Sequence, residues 1–244
     1  MGKELHRCED EWGPIVVTQR GRKRVLSFGS EFEQSSVILD RPASLTHEYT
    51  RIMLLGLLFS EPAHITLLGL GGGGLLHCLA RFYPAVPIKV VELRQQVIAV
   101  ARDWFEIPQN RFIDIDCANA ADHVRNADAG DTDLILSDLY EAEGMSEDQT
   151  RTAYLQNCFT HLSDDGVLVL NFHRLPDTDD PLMLELSTLF SQLWVCDVFK
   201  GNQVLFCLKQ EADISTRAAE AKQLAKKFKL PLIYYYRQLR KITL

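Results

Sequence analysis

The sequence predicts an α/β fold: a mainly parallel sheet with crossover helices, closed by an antiparallel hairpin and preceded by a small β module. Three observations predict it. After residue 63, short apolar runs alternate with helical stretches. The first of those runs, Ile65-Thr66-Leu67-Leu68, ends directly in glycines. Two β-type runs near residue 200 face each other across Lys200-Gly201-Asn202.

The elements follow in order. Runs at 15–18, 24–28 and 35–39, the first two joined by Gln19-Arg20-Gly21-Arg22-Lys23, predict the antiparallel module. Leu45, Tyr49, Ile52, Met53 and Leu57 share one helix face over 44–59, and Glu61-Pro62 ends that helix. Parallel strands are expected at 65–68, 88–92, 112–116, 133–137 and 166–172. Helices are expected at 75–82, 95–104, near 120–125, at 150–162 and at 181–193. The hairpin comprises 194–199 and 203–208, and a tail beyond 211 reads as helical to about residue 229. The division is therefore a β module with linking helix (1–60), a Rossmann-like nucleotide-binding domain (61–210) and a basic helical tail (211–244).

Composition narrows the function class. A chain of 244 residues, 46% hydrophobic and 24% charged, is an ordinary globular protein. Its net charge of −7 disfavours a general nucleic-acid surface and suits cationic small molecules. The tail alone carries +5, leaving −12 on the other 210 residues, and reads as a solvated helix docked on an acidic body, with a partner-binding role as the alternative. Six cysteines without a C-x-x-C pair read as reduced thiols, and with no apolar leader at the N-terminus they predict a cytoplasmic protein. The apolar runs at 52–59 and 65–76 are shorter than the ~20 residues of a membrane helix. Seven histidines show no H-x-x-x-H spacing, so no metal is expected.

The candidate chemistry lies at the strand ends. Gly69, Gly71, Gly73 and their neighbours can turn tightly and bring backbone N–H groups to a ligand with anionic groups, although a merely tight βα turn would also use glycines. Glu92 ends the second parallel strand, where a carboxylate can accept from both hydroxyls of a ribose. Asn119 lies at the next βα turn, within reach of an adenine edge. Asp138, Tyr140 and Glu141 follow the fourth parallel strand and are the catalytic candidates, since a carboxylate there can position an amine or take its proton.

The order of these features resembles the spermidine synthase-like family, the polyamine aminopropyltransferases and their relatives, over roughly residues 14–210. The carriers are Gln34-Ser35-Ser36, Tyr49-Thr50-Arg51, the turn from Gly69 to Gly74, Val91-Glu92 and Ser137-Asp138. The resemblance implies a methyltransferase-type Rossmann-like sheet binding S-adenosylmethionine or its decarboxylated form. It implies Gln34 near the sulfonium, Tyr49 and Asp138 with the substrate, Glu92 on the ribose, and Asn119 where the family has an adenine-contacting Asp. Asp138 and Glu141 match the first and last acids of the family's D-S-S-D loop, the last being the amine-activating base. The chain departs from the family twice. Gly72 stands where the synthases have an Asp that pairs with the aminopropyl ammonium, and Leu139 and Tyr140 replace two serines.

The leading expectation is a transferase moving an aminopropyl group to an amine or polyamine. A methyltransferase and a non-catalytic nucleotide-binding homologue are the alternatives. A homodimer is implied by the family; no nucleic-acid or membrane partner is expected.

Overall fold

The computed structural model describes residues 2–29, 33–141, 144–199 and 201–243. The chain opens with a four-stranded antiparallel sheet in sequence order: β1 (Lys3–Asp10), β2 (Gly13–Arg20), β3 (Lys23–Ser27) and β4 (Ser35–Ile38). The sequence pattern did not reveal β1. Its residues, KELHRCED, are mostly charged and none is fully buried, because β1 is the edge of this sheet.

Helix α1 (Glu48–Met53) is shorter than the run of apolar residues predicts. Leu54–Leu58 tighten into a 3₁₀ turn with all five residues buried. Gly56 packs its backbone against the sheet so closely that a Cβ would lie 2.7 Å from Val169.

The alternation then runs as expected: β5 (Ile65–Leu68), α2 (Gly74–Phe82), β6 (Ile88–Glu92), α3 (Gln95–Phe105), β7 (Ile113–Cys117), α4 (Ala120–Asn126) and β8 (Thr132–Ser137). A small ribbon, β9 (Tyr140–Glu141) and β10 (Gly144–Met145), interrupts it. There follow α5 (Thr152–His161), β11 (Leu162–Phe172), α6 (Pro181–Leu189), β12 (Gln192–Asp197) and β13 (Gln203–Leu208). Helix α6 stops at Leu189, not at residue 193, because Phe190 turns extended and Leu193 to Cys196 are buried in β12 against β13.

The eight-stranded sheet has the order β14-β12-β13-β11-β8-β5-β6-β7, with β14 at Arg240–Ile242. Strands β11, β8, β5, β6 and β7 are parallel, and the β12–β13 hairpin is antiparallel. Parallel strands covered on both faces are apolar throughout, which is why Ile65 to Leu68 are all buried. Chain order reverses between β5 and β8, and ligands of open α/β sheets bind beyond the strand ends at such a point.

The tail is more deeply integrated than a solvated helix. In α7 (Ala218–Phe228), Phe228 is buried with its ring 4.7 Å from that of Phe82. In α8 (Leu232–Tyr236), Leu232 and Tyr235 are buried, and β14 then extends the main sheet beside β12. Among the described residues, no helix is long and apolar enough to cross a membrane.

One side chain joins the two sheets. Arg94, just past β6, makes an ion pair of 2.7 Å with Asp10 and donates to the Gly13 carbonyl at 2.6 Å. Its guanidinium also lies 4.5 Å from the centre of the Phe28 ring. With Arg94 only 6% exposed, removing one partner of this pair would leave a buried charge, at a cost of about 3–5 kcal/mol.

Candidate active site

Register places the predicted residues in one row along the sheet edge. Leu68 of β5 pairs with Ser137 of β8 on one side and Val91 of β6 on the other. Asp138, Gly69 and Glu92 are therefore neighbours, and Cys117 continues the row through its pairing with Glu92.

Between β5 and α2 the backbone turns through positive φ at Gly69 (95°), Gly71 (53°) and Gly73 (75°), which L side chains rarely adopt. Packing adds a second requirement. A Cβ would overlap the Asp138 carbonyl at Gly69 and the Ile107 side chain at Gly73, and at Gly72 it would lie 2.9 Å from the Phe105 ring. The turn geometry and the surrounding protein thus account for these glycines without a ligand. Ser35, beside Gln34 at the start of β4, lies over the turn, 3.1 Å from where a Gly71 Cβ would stand. Helix α2 follows Gly73, which offers no side-chain cap, whereas α4 and α6 are capped by Asn119 and Asp180. Its first N–H groups have no intrahelical acceptor.

Glu92 is buried and ties the turn to the strand end. One oxygen accepts the Leu70 N–H at 3.0 Å and the other the Arg94 N–H at 3.0 Å, with Gly71 N–H adding a third bond. Burial pushes the carboxyl above its ordinary range, against the pull of these donors and of the Arg94 cation. A carboxylate offers about four lone-pair sites, so capacity for a ligand hydroxyl remains.

Asp138 sits in a network made of side chains. Asn171, at the end of β11, donates to Asp138 Oδ1 at 2.8 Å, and the Tyr49 hydroxyl of α1 donates to the same carboxylate. Asn202, in the β12–β13 turn, donates to Asn171 Oδ1 and to the Tyr140 hydroxyl, each at 2.9 Å. Loss of water around Asp138 raises its pKa, and the donors from Asn171 and Tyr49 oppose that rise. Burial raises the Tyr49 and Tyr140 phenols as well. Beneath the network, Gln149 accepts from Ser137 Oγ at 2.7 Å and donates to the Asn171 carbonyl at 2.8 Å.

The structure thus brings together Tyr49, Gly69, Glu92, Asp138 and Tyr140. Asn119 stands one turn further along and is engaged as a helix cap: its Oδ1 accepts from Ala121 and Asp122, and its Nδ2 donates to Asp148 at 3.0 Å. The side chain of Glu141 lies outside the described residues. Asn171, Asn202 and Gln149 escaped the sequence reading. Asn171 had a usable signal, as the polar residue closing the apolar run Val167-Leu168-Val169-Leu170. Among the described residues, no cluster of three or more His, Cys, Asp or Glu could hold a metal ion.

A parallel sheet with this switch point, glycine turn and acidic strand ends defines a methyltransferase-type Rossmann-like protein. A model of the spermine/spermidine synthase domain matches residues 46–194, and the chain belongs to that family. A polyamine aminopropyltransferase of Neisseria meningitidis is 32% identical over 173 residues, covering 70% of this chain and 65% of that relative. The chain thus spans less than two thirds of that relative's length. A probable spermidine synthase from Corynebacterium glutamicum shares the fold with a TM-score of 0.78, 21% identity, and coverage of 92% of this chain and 87% of that one. Human methyltransferase-like protein 13, in complex with SAH, gives a TM-score of 0.64 at 23% identity, covering 76% of this chain and 94% of that one.

Proposed function

We propose that this chain is a transferase that takes an aminopropyl group from decarboxylated S-adenosylmethionine and delivers it to an amine of the polyamine class. The observation that carries this reading is the juxtaposition of two acids, the buried Glu92 and the half-buried Asp138, at the ends of the strands flanking β5. Glu92 meets a ribose hydroxyl with its remaining lone-pair site, and the uncapped start of α2 offers N–H groups to the nucleotide. Gln34 lies toward the sulfonium, and Asn119 toward the adenine.

The bound nucleotide supplies an electrophilic carbon and a thioether leaving group. Asp138, steadied by Tyr49 and Asn171, accepts a hydrogen bond from the amine, orients its lone pair and takes a proton, with Glu141 as the second acid of the loop. Tyr140, held by Asn202, walls the acceptor side. Burial raises the affinity of Asp138 for a proton, which suits a base.

One observation favours a second reading, methyl transfer from S-adenosylmethionine itself. Position 72 is a glycine closed in by Phe105 and Ser35, so no acid stands there to meet an aminopropyl ammonium or to repel a cofactor carboxylate.

Calorimetric titration with S-adenosylmethionine, its decarboxylated form and methylthioadenosine tests both readings, followed by product analysis with a diamine. Tighter binding of the decarboxylated form with release of methylthioadenosine is expected. S-adenosylhomocysteine as product establishes the second reading, and binding without turnover of any amine overturns both.

A further inference from the structure

We propose that Asn202, which touches Asn171 and Tyr140 but makes no hydrogen bond to Asp138, is a positioning residue that sets which atom of Asn171 faces Asp138. An ionised carboxylate only accepts hydrogen bonds. The Asn171 atom 2.8 Å from Asp138 Oδ1 is therefore its Nδ2 donor. Asn171 Oδ1 then points the other way and needs a donor, which Asn202 Nδ2 supplies at 2.9 Å. The second hydrogen of the same Asn202 amide goes to the Tyr140 hydroxyl at 2.9 Å. Each amide orientation follows in turn from the charge at Asp138.

The turn itself does not require this side chain. Asparagine is common in turns because it tolerates positive φ, but here Gly201 has the positive φ (129°) and Asn202 does not. The contribution of Asn202 to the turn is its carbonyl, which accepts from Val198 N–H at 2.8 Å and which any residue would provide. What asparagine adds is the pair of side-chain donors directed at Asn171 and Tyr140.

The consequence has a direction. Without the Asn202 donor, the Asn171 amide can rotate by half a turn and present its oxygen to Asp138, where two acceptors face each other unless the carboxyl is protonated. Asn202 therefore favours ionised Asp138 through an intermediary. Among the described residues, the titratable groups facing Asp138 are Tyr49 from α1 and Tyr140 from β9, while Asn171 from β11 and Asn202 from the hairpin are neutral. The inference rests on reading Asp138 as the group that meets the acceptor amine.

The test needs no turnover. The Asp138 titration is followed by carboxyl ¹³C NMR in the full-length, nucleotide-free protein and assigned with Asp138→Asn. Asn202→Ala is expected to raise the midpoint by up to about one pH unit, the scale of the lost neutral amide–amide hydrogen bond to Asn171. Asn202→Asp, which offers acceptors where donors stood, is expected to raise it further. An unchanged midpoint in folded Asn202→Ala would overturn the proposal. Should that variant not fold, Asn202→Leu, close to asparagine in size but without a donor, decides by the same criterion. Failure here leaves the transferase reading standing, and failure of the nucleotide titrations leaves this measurement interpretable.

Discussion

Glu92 and Asp138 flank the same strand, and burial raises the pKa of both, yet they are held by different kinds of partner. Glu92 accepts from the main-chain N–H groups of Leu70, Gly71 and Arg94, whereas Asp138 accepts from the side chains of Asn171 and Tyr49. Main-chain donors are fixed once the strands and turn have formed. Side-chain donors can rotate, be exchanged by mutation, or be redirected by a further neighbour such as Asn202. The proposed binding group is thus built into the scaffold on one side of β5, and the proposed chemistry stands on the other side in a network that can be adjusted.

The largest expected effect breaks the pair apart by function. Asp138→Asn keeps an oxygen to accept from its neighbours, so the melting temperature should stay close to that of the parent, while transfer falls by about 10²- to 10⁴-fold. A collapse in stability instead would make Asp138 part of the scaffold, like Glu92, and erase the distinction. Gly69→Val attacks the shared centre. Its Cβ would meet the Asp138 carbonyl at a φ of 95°, so a loss of about 3 kcal/mol or more is expected in urea unfolding, with S-adenosyl nucleotide binding abolished. Unchanged affinity would remove the turn from the site.

Glu92→Gln sharpens the comparison, because the new NH₂ would confront one of the backbone N–H groups. A loss of about 1–3 kcal/mol in stability and a weaker nucleotide Kd are expected. A variant that binds less tightly but unfolds as the parent does would show that the backbone bonds at Glu92 are dispensable.

The smallest effect concerns pH. Since the folded-state pKa of Asp138 is raised above the unfolded value, its contribution to stability is present below the ordinary carboxylate range and is lost as pH rises through the raised value. Asp138→Asn lacks that dependence. Its unfolding free energy relative to the parent should therefore grow as pH rises above the ordinary carboxylate range. A flat difference would mean that Asn171 and Tyr49 offset the burial completely.

Much of the parallel half was legible because most of its strands contain a short apolar run bounded by turn residues, as in Ile65 to Leu68 and Val167 to Phe172, with the alternating Ile113 to Cys117 of β7 the exception. The edges were not. β1 and β14 are rich in charge, so no apolar period reveals them, although β1 pairs with the adjacent β2 while β14 depends on the distant β12. The tail read as solvated because its lysines dominate the composition, although Phe228, Leu232 and Tyr235 fix it to the core. At the site, acids after strands could be read from position alone. The amides that orient them could not, since Asn171 and Asn202 lie 31 residues apart and meet only through the antiparallel pairing of β11 with β13.

The attachment of Glu92 to backbone donors makes the resting site observable by hydrogen–deuterium exchange. The Leu70 and Arg94 amides can exchange only when the carboxylate releases them. Their exchange rates therefore count how often the proposed ribose-holding group lets go. A ligand that binds alongside these bonds would slow both amides, and one that replaces them would speed both, so two protons report how the nucleotide is received.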